Sequence, residues 1–411
     1  MSKMKALVLA AGEGLRMGPL TENRPKPMLP VAGKPFLEHT LNALKEAGIR
    51  EMLVLTGYHG VAIKEHFGDG SDMGISIEYL VQHQRKGTAH AVSMAREHIA
   101  NPFLCVNGDV ILSTSIIKGI MKKHRSSGGA VMTLFEVDDA SRFGLVTLDK
   151  EKVTGIVEKS GDAIQGLVNG GIYLFGPSIF KAIERTPLSP RGEYELTQSI
   201  EIMMKDEDVV GYVPKERWVD IGSPWDLLNA HEIYMEKLEG GSHGTIEDGV
   251  YVHGTLHLCK DAVLKSGTYI EGKVIVDEGA TIGPNAYIRG STYIGKRCKV
   301  GAASEVKNSI VMSDSHIPHH NYVGDSIIGS GCNLGSGTKV ANLRLDDRPV
   351  GVTLKGVRSS TGRRKFGVIM GDDVKTGINA TLDPGTIIFS GARIGPGANV
   401  SGTIGKGSRM F

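Results

Sequence analysis

A period of six governs the C-terminal part of this chain. Stepping from Ile246 by six lands on Val252, Leu258, Leu264, Ile270, Val276, Ile282, Ile288, Ile294, Val300, Val306 and Met312, an aliphatic residue or methionine every time. Helical cores recur at intervals of three and four residues and half-buried strands at two, so a sustained interval of six calls for a solenoid. Glycine supports this: it makes up 55 of 411 residues, against about 7% in an average chain. It often follows the aliphatic residue directly, as in Ile282-Gly283, Ile294-Gly295 and Val300-Gly301.

The pattern resembles the hexapeptide repeat of left-handed parallel β-helices. In that fold three hexads close one triangular coil, the aliphatic residue points into the prism, and small residues relieve crowding at the turns. Residues some eighteen apart then stack. The step fails twice. A slip of ten separates Met312 from Tyr322, after which Ile328, Leu334 and Val340 resume it; a second gap runs from 341 to 369, before Met370, Leu382, Ile388, Ile394 and Val400. Both gaps are expected to be loops projecting from the prism. Insertions in a solenoid gather on a binding face, which argues against a bare spacer.

The N-terminal part reads differently. Residues 5–10 (KALVLA) form an apolar run that enters Ala11-Gly12-Glu13-Gly14-Leu15-Arg16-Met17, with Pro25-Lys26-Pro27 behind it. A buried parallel strand running into a glycine loop is how α/β folds present backbone N–H groups to phosphates. Helical stretches at 39–47 and 88–98 alternate with apolar strands at 52–56 and 103–106, which indicates a doubly wound, Rossmann-like sheet.

A lone GxG after a strand is a weak signal. The longer string, Leu9-Ala10-Ala11-Gly12-x-Gly14-x-Arg16-Met17 with Arg-Pro-Lys-Pro at 24–27 and Gly33-Lys34-Pro35 after it, resembles the signature of sugar nucleotidyltransferases. The resemblance implies that Ala10, Ala11, Gly12 and Gly14 cradle the nucleotide. It also implies that Gln82, Gly87 and Thr88, in VQHQRKGTAHA, read the base, and that Gly144, Glu158, Lys159 and Asn169 contact the sugar phosphate. Asn107-Gly108-Asp109 and Val219-Asp220-Ile221-Gly222 match the two acidic motifs.

These residue types suit the chemistry, because nucleotidyl transfer needs charge neutralisation and in-line positioning more than a protein nucleophile. Asp109 and Asp220 are expected to hold Mg²⁺ and leave coordination sites for phosphate oxygens. Arg16 and Lys26 are expected to bridge the triphosphate of UTP or dTTP and stabilise charge as a sugar 1-phosphate oxygen attacks and pyrophosphate leaves.

The β-helix carries more polar and basic chemistry than a spacer requires. Arg289, Lys307, His319, Tyr322, Asn333 and Asn342 fall within three coils, and Arg289 and Lys307 are eighteen apart, so they should stack as a pair of cations suited to a phosphate. The string EVKNS at 305–309, ahead of His319 with Tyr322 three residues later, resembles the acetyltransferase half of bifunctional N-acetylglucosamine-1-phosphate uridylyltransferase/glucosamine-1-phosphate acetyltransferases. The resemblance now spans essentially the whole chain. It implies that His319 is the general base toward the sugar amine that attacks acetyl-CoA. It also implies that Arg289 and Lys307 bind the phosphate, Tyr322 and Asn333 the sugar, and Asn342 the reacting amide region. Acetyl-CoA would lie between neighbouring prisms of a homotrimer. This chain departs from the family at Arg348, where a lysine is usual. Its segment 355–365 is longer and more basic than in bacterial members, closer to archaeal ones.

Composition limits the partners. Lys and Arg number 47 against 45 Asp and Glu, a net charge of +2, so no global basic face is available for nucleic acid or a membrane surface. Cys105, Cys259, Cys298 and Cys332 are scattered without CxxC spacing, suggesting neither a zinc site nor a disulfide framework. The apolar run that follows Lys5 is too short for a signal peptide or a span, and a cytoplasmic protein is expected.

At this length two domains are expected: a nucleotidyltransferase domain over 1–225, a linker helix over 226–242 and a β-helix acetyltransferase domain over 243–411. Two other readings compete. One is a glucose-1-phosphate uridylyl- or thymidylyltransferase whose β-helix is only a trimer post, which Arg289, Lys307 and His319 oppose. The other is a non-catalytic regulatory subunit, which intact Arg16, Lys26, Asp109 and Asp220 oppose.

Overall fold

A computed structural model describes residues 4–158 and 164–411. They fall into two compact units, one comprising residues up to Glu13 with Phe36–Asp220, the other Gly14–Pro35 with Ile221–Phe411.

The first unit is built on a nine-stranded sheet. Its parallel half runs Ser76–Val81, Glu51–Thr56, Lys5–Ala10, Phe103–Asn107 in spatial order. The antiparallel strand Gly166–Phe175 then leads to Ala130–Val137, Val209–Tyr212, Lys152–Glu158 and Gly144–Asp149. Ala6, Leu7 and Val8 are all fully buried, as expected of a strand covered on both faces. The helix Phe36–Glu46 buries Phe36, Leu37, Thr40, Leu41 and Leu44, the spacing of a single apolar stripe. In the 88–98 stretch the helix covers Thr88–Ser93 and a 3₁₀ turn follows at Arg96–His98. Strand order reverses between Lys5–Ala10 and Phe103–Asn107, and Gly12 and Asp109 follow the carboxyl ends of those two strands. Such a switch point is where open α/β sheets hold ligands.

In the second unit the hexads form a parallel β-helix. One ladder of nine strands runs from Thr245–Ile246 to Arg409–Met410. A second contains the eight-residue strands Tyr251–Leu258, Tyr269–Val276 and Tyr287–Ile294, and beyond them divides into two ladders that begin at Glu305–Lys307 and Ile310–Val311. The coil therefore has three faces, around a continuous core that includes Ile270, Ile282, Ile288, Ile294, Val300 and Val306. The helix Pro224–Met235 precedes it.

The expected hexad phase fails after Val306. Val311, not Met312, enters the core, followed by Ile317, Val323, Ile328, Leu334 and Val340. Rungs that are 18 residues apart, as for Tyr287 with Glu305, become 17 apart, as for Glu305 with Tyr322. One residue is omitted between Val306 and Val311 and another between Val323 and Ile328, so a count of six misses Val311, Ile317 and Val323 by one, while the series restarted at Tyr322 lands on Ile328, Leu334 and Val340. The region between Met312 and Tyr322 is therefore no projecting loop: His316–Ile317 and Tyr322–Gly324 are rungs of the prism. The second gap is a true insertion, since Ile327 pairs with Ile369, 42 residues on, and a hairpin of Gly351–Leu354 with Val357–Ser360 lies in between.

Among the described residues no helix is long and apolar enough to cross a membrane. All four cysteines are unbridged, and burial pushes the Cys298 and Cys332 thiols up to about 12, so neither is a ready nucleophile.

Candidate active sites

In the first unit, Ala10 and Ala11 are buried at the end of the central strand and Gly12 follows, exposed. The neighbouring motif packs closely here: Gly108 donates its N–H to the Leu9 carbonyl at 2.9 Å, and a Cβ on Gly108 would come within 2.6 Å of that oxygen. Val110 bridges to Asp220 in antiparallel fashion while Ile111 donates to the Val219 carbonyl at 2.9 Å, which sets the two acidic segments side by side. Both Asp109 and Asp220 are half-buried. No group of three or more His, Cys, Asp or Glu that could hold a metal occurs among the described residues. The donor type is nonetheless suitable: Mg²⁺ is bound through one or two carboxylates and keeps waters and substrate phosphates as its other ligands.

The segment expected to read the base is held by backbone and side-chain bonds. Gln82 is buried, donates its backbone N–H to Thr56 at 2.8 Å, and places Nε2 2.9 Å from Nδ1 of His90. Gly87 has φ 103°, and a Cβ there would lie 2.4 Å from the Tyr194 carbonyl oxygen, so only glycine fits. Thr88 accepts from the backbone N–H of Leu196 at 2.9 Å, which gives its hydroxyl a structural task. The register that pairs Val168 with Leu145 sets Asn169 beside Gly144, and Gly144 pairs with Glu158 in turn. Asn169 donates to the Tyr173 hydroxyl at 2.7 Å. Lys159 and the side chain of Glu158 lie outside the described residues. Sequence reasoning missed the aromatic patch of Trp218, stacked on Phe135 at 5.1 Å and edge-on to Phe143 at 5.2 Å, with its indole N–H on the Gly170 carbonyl next to Asn169.

The rest of the glycine signature belongs to the second unit. Gly14 has φ 67°, and a Cβ there would meet the Lys26 side chain at 2.9 Å. Arg16 is exposed on the 3₁₀ segment Leu15–Thr21, whereas Lys26 is buried. Arg24, another cation of the signature, is a tether: its guanidinium bonds both Asp372 oxygens at 2.9 Å and Ser330 at 3.2 Å. Asn23 donates to the same carboxylate at 2.9 Å, and Glu22 accepts from Ser390 N–H at 3.0 Å.

On the β-helix, Arg289 pairs in register with Lys307, as the eighteen-residue spacing requires. Each cation has a carboxylate partner. Arg289 Nε donates to Glu305 at 2.7 Å and its guanidinium lies over the Tyr287 ring at 5.4 Å; Lys307 Nζ donates to Asp325 at 2.9 Å. Burial lowers the Arg289 pKa, but the bond and charge of Glu305 outweigh it and raise the net value. Tyr322 is in register with Glu305, and its hydroxyl accepts from Asn342 at 3.2 Å; burial first, then Glu305, raises its pKa. His319 is exposed at the corner between the rungs His316–Ile317 and Tyr322–Gly324. Asn333 sits instead on the nine-stranded ladder, opposite His316, so it is on a different face from Tyr322. Arg348 is exposed in the inserted segment, where it lines a surface cleft with Arg344 and Arg358.

The α/β sheet with its glycine turn at the switch point and paired acidic segments is that of a nucleotidyl transferase, and residues 5–237 match the nucleotidyl transferase family. Residues 270–388 match the GMPPB C-terminal domain. Over its whole length the chain belongs to the bifunctional sugar-1-phosphate nucleotidylyltransferase/acetyltransferases of the GlmU type. It is 40% identical over 393 residues to the bifunctional protein GlmU of Methanocaldococcus jannaschii, covering 95% of this chain and 93% of that one. It is 38% identical to the bifunctional sugar-1-phosphate nucleotidylyltransferase/acetyltransferase of Sulfurisphaera tokodaii, covering 98% and 99%. Among solved structures, a glucose-1-phosphate thymidylyltransferase structure from Bacillus anthracis superposes with a TM-score of 0.54 at 28% identity, over 58% of this chain and 98% of that one.

Proposed function

We propose that this enzyme acetylates glucosamine 1-phosphate with acetyl-CoA on its β-helix and, at its nucleotidyltransferase site, transfers UMP from UTP to the resulting sugar phosphate, giving UDP-N-acetylglucosamine and pyrophosphate. The observation that carries the acetyl-transfer half is the cluster on one face of the prism: Arg289 over Lys307, with Tyr322 and Asn342 hydrogen-bonded beside them and His319 at the adjacent corner. A spacer needs none of these groups. His319 takes the proton released as the amine attacks the acetyl carbon, while Arg289 and Lys307 hold the phosphate. The position of Asn333 on another face fits a site completed by a neighbouring subunit, and with it a homotrimer that binds acetyl-CoA between prisms. Arg348 stands in for the family lysine on the inserted segment.

At the nucleotidyl site, Ala10, Ala11, Gly12 and Gly14 cradle the nucleotide, Gln82, Gly87 and Thr88 face the base, and Gly144, Glu158, Lys159 and Asn169 hold the sugar phosphate. Arg16 and Lys26 neutralise the triphosphate as pyrophosphate leaves. Asp109 and Asp220 are the residues that would hold Mg²⁺, which when bound supplies further neutralisation of phosphate charge. The functional division follows residues 1–225, 226–242 and 243–411, and the enzyme works in the cytoplasm.

Thiol release from acetyl-CoA, measured with glucosamine 1-phosphate and galactosamine 1-phosphate side by side, tests the reading. His319→Ala should abolish thiol release and leave pyrophosphate release from UTP unchanged; loss of both would contradict two separate sites.

A further inference from the structure

Asp325 was not singled out by sequence reasoning, yet it joins two of the proposed substrate contacts. It is buried, with its side chain only 4% exposed, and adopts φ 50°, its backbone N–H held by the Lys307 carbonyl at 2.9 Å. Its carboxylate accepts from Lys307 Nζ at 2.9 Å, Asn308 Nδ2 at 2.9 Å and Asn342 Nδ2 at 2.5 Å. The same Asn308 Nδ2 also donates to Glu232 at 2.8 Å.

An ionised carboxylate is acceptor-only, so it dictates which end of each facing amide turns toward it. Asn342 directs Nδ2 to Asp325 and to the Tyr322 hydroxyl. Both amide hydrogens are thereby committed, and Oδ1 is the atom left to receive an N–H. Lys307 carries a flexible four-carbon stem, and the buried carboxylate removes that freedom by fixing the ammonium in place.

We propose that Asp325 is a positioning residue of the acetyl-transfer site: it pre-places the Lys307 ammonium for the phosphate and orients the Asn342 amide so that Oδ1 accepts a hydrogen from the amine of an amino-sugar 1-phosphate. This rests on the acetyl-transfer reading above. Ordering both ends of the substrate site through one carboxylate lowers the cost of assembling it at each turnover.

Asp325→Asn keeps the shape and removes the acceptor-only character. In thiol-release kinetics the KM for glucosamine 1-phosphate should rise about fivefold or more and kcat should fall about tenfold. UMP transfer to N-acetylglucosamine 1-phosphate should stay unchanged, which also shows that the variant folds. In a Lys307→Met background, Asp325→Asn should raise KM by much less than in the parent, because one of the two groups it positions is gone; fully independent, multiplied effects would mark a merely structural role and overturn the proposal. Reductive methylation followed by mass spectrometry reads the clamp without any turnover: Lys307 should react faster in Asp325→Asn, with exposed Lys299 as the internal reference. Unchanged Lys307 labelling, or KM and kcat both within about twofold of the parent, overturns the proposal. A parent enzyme that releases pyrophosphate but no thiol would instead remove the acetyl-transfer reading on which it stands, and the labelling result separates that failure from failure of the clamp.

Discussion

Burial, and then the charge of Lys86, holds the His90 imidazole below its ordinary pKa, so it stays neutral where Gln82 meets it. A neutral Nδ1 accepts from the Gln82 amide. Protonation makes that nitrogen a donor and forces the amide to reverse, exchanging the donor and acceptor it would offer a nucleotide base. A base whose folded pKa is depressed contributes its stabilisation above its unfolded value of about 6.5 and loses it as pH falls below that value toward the folded one. The KM for UTP should therefore hold steady down to about pH 6.5 and climb only below it, and His90→Asn should flatten that rise; an equally steep climb in the variant would place the titration elsewhere. Gln82 was legible in the string VQHQRKGTAHA, as was the glycine five residues on. The imidazole beside Gln82 was not, because eight residues of separation say nothing until the helix Thr88–Ser93 brings His90 back.

Among elements, the prism shows how regular packing exposes an irregular residue. Thr292, Thr338 and Thr386 occupy a recurring buried slot of the hexad, and each donates its hydroxyl to the carbonyl three residues earlier, at 2.7, 2.8 and 2.7 Å. Asn321 holds the same slot between Ser304 and Thr338, 2% exposed, and neither of its amide atoms has a hydrogen-bond partner. A buried polar group left unsatisfied costs about 1–3 kcal/mol. Asn321→Thr should accordingly raise stability by about 1–2 kcal/mol, visible as a higher midpoint in thermal or denaturant unfolding; a lower midpoint would show that the amide is satisfied in solution. The hexad pattern predicted this element and most of its core; it failed at the first turn, where Ile246 and Val252 are exposed, and again where corner residues are omitted. There the signal that remained was phase: Val311, Ile317 and Val323 restore the aliphatic series at steps of six once the count is moved by one.

For the whole molecule, the segment Gly14–Pro35 carries Arg16 and Lys26 yet packs with the C-terminal unit. Arg24 is tied to Asp372, Glu22 to Ser390 and Lys406, and Gly18 lies against Leu354. A chain truncated after Glu236 keeps nearly all of the matched nucleotidyl transferase region but loses these partners. Its pyrophosphate release with UTP and N-acetylglucosamine 1-phosphate should fall at least about tenfold, even where circular dichroism shows the α/β unit folded. Activity equal to the parent would mean that the segment keeps its shape unaided.

Local signals determined by the sequence alone include the glycine turn after a buried strand, the solenoid period and the alternation of helix and strand, because each depends on neighbours within one element. Stacking at a known rung length belongs with them, which is why Arg289 over Lys307 was foreseeable. Only the tertiary structure decided that each of those cations has a carboxylate partner, that Arg24 is a tether, that Asn333 faces away from Tyr322, and that Asp325 gathers Lys307, Asn308 and Asn342. Those facts depend on which side chains from distant coils share a buried, low-dielectric space, where a charge must find a partner or raise the energy of the fold. Spacing along the chain does not reveal which partner it finds.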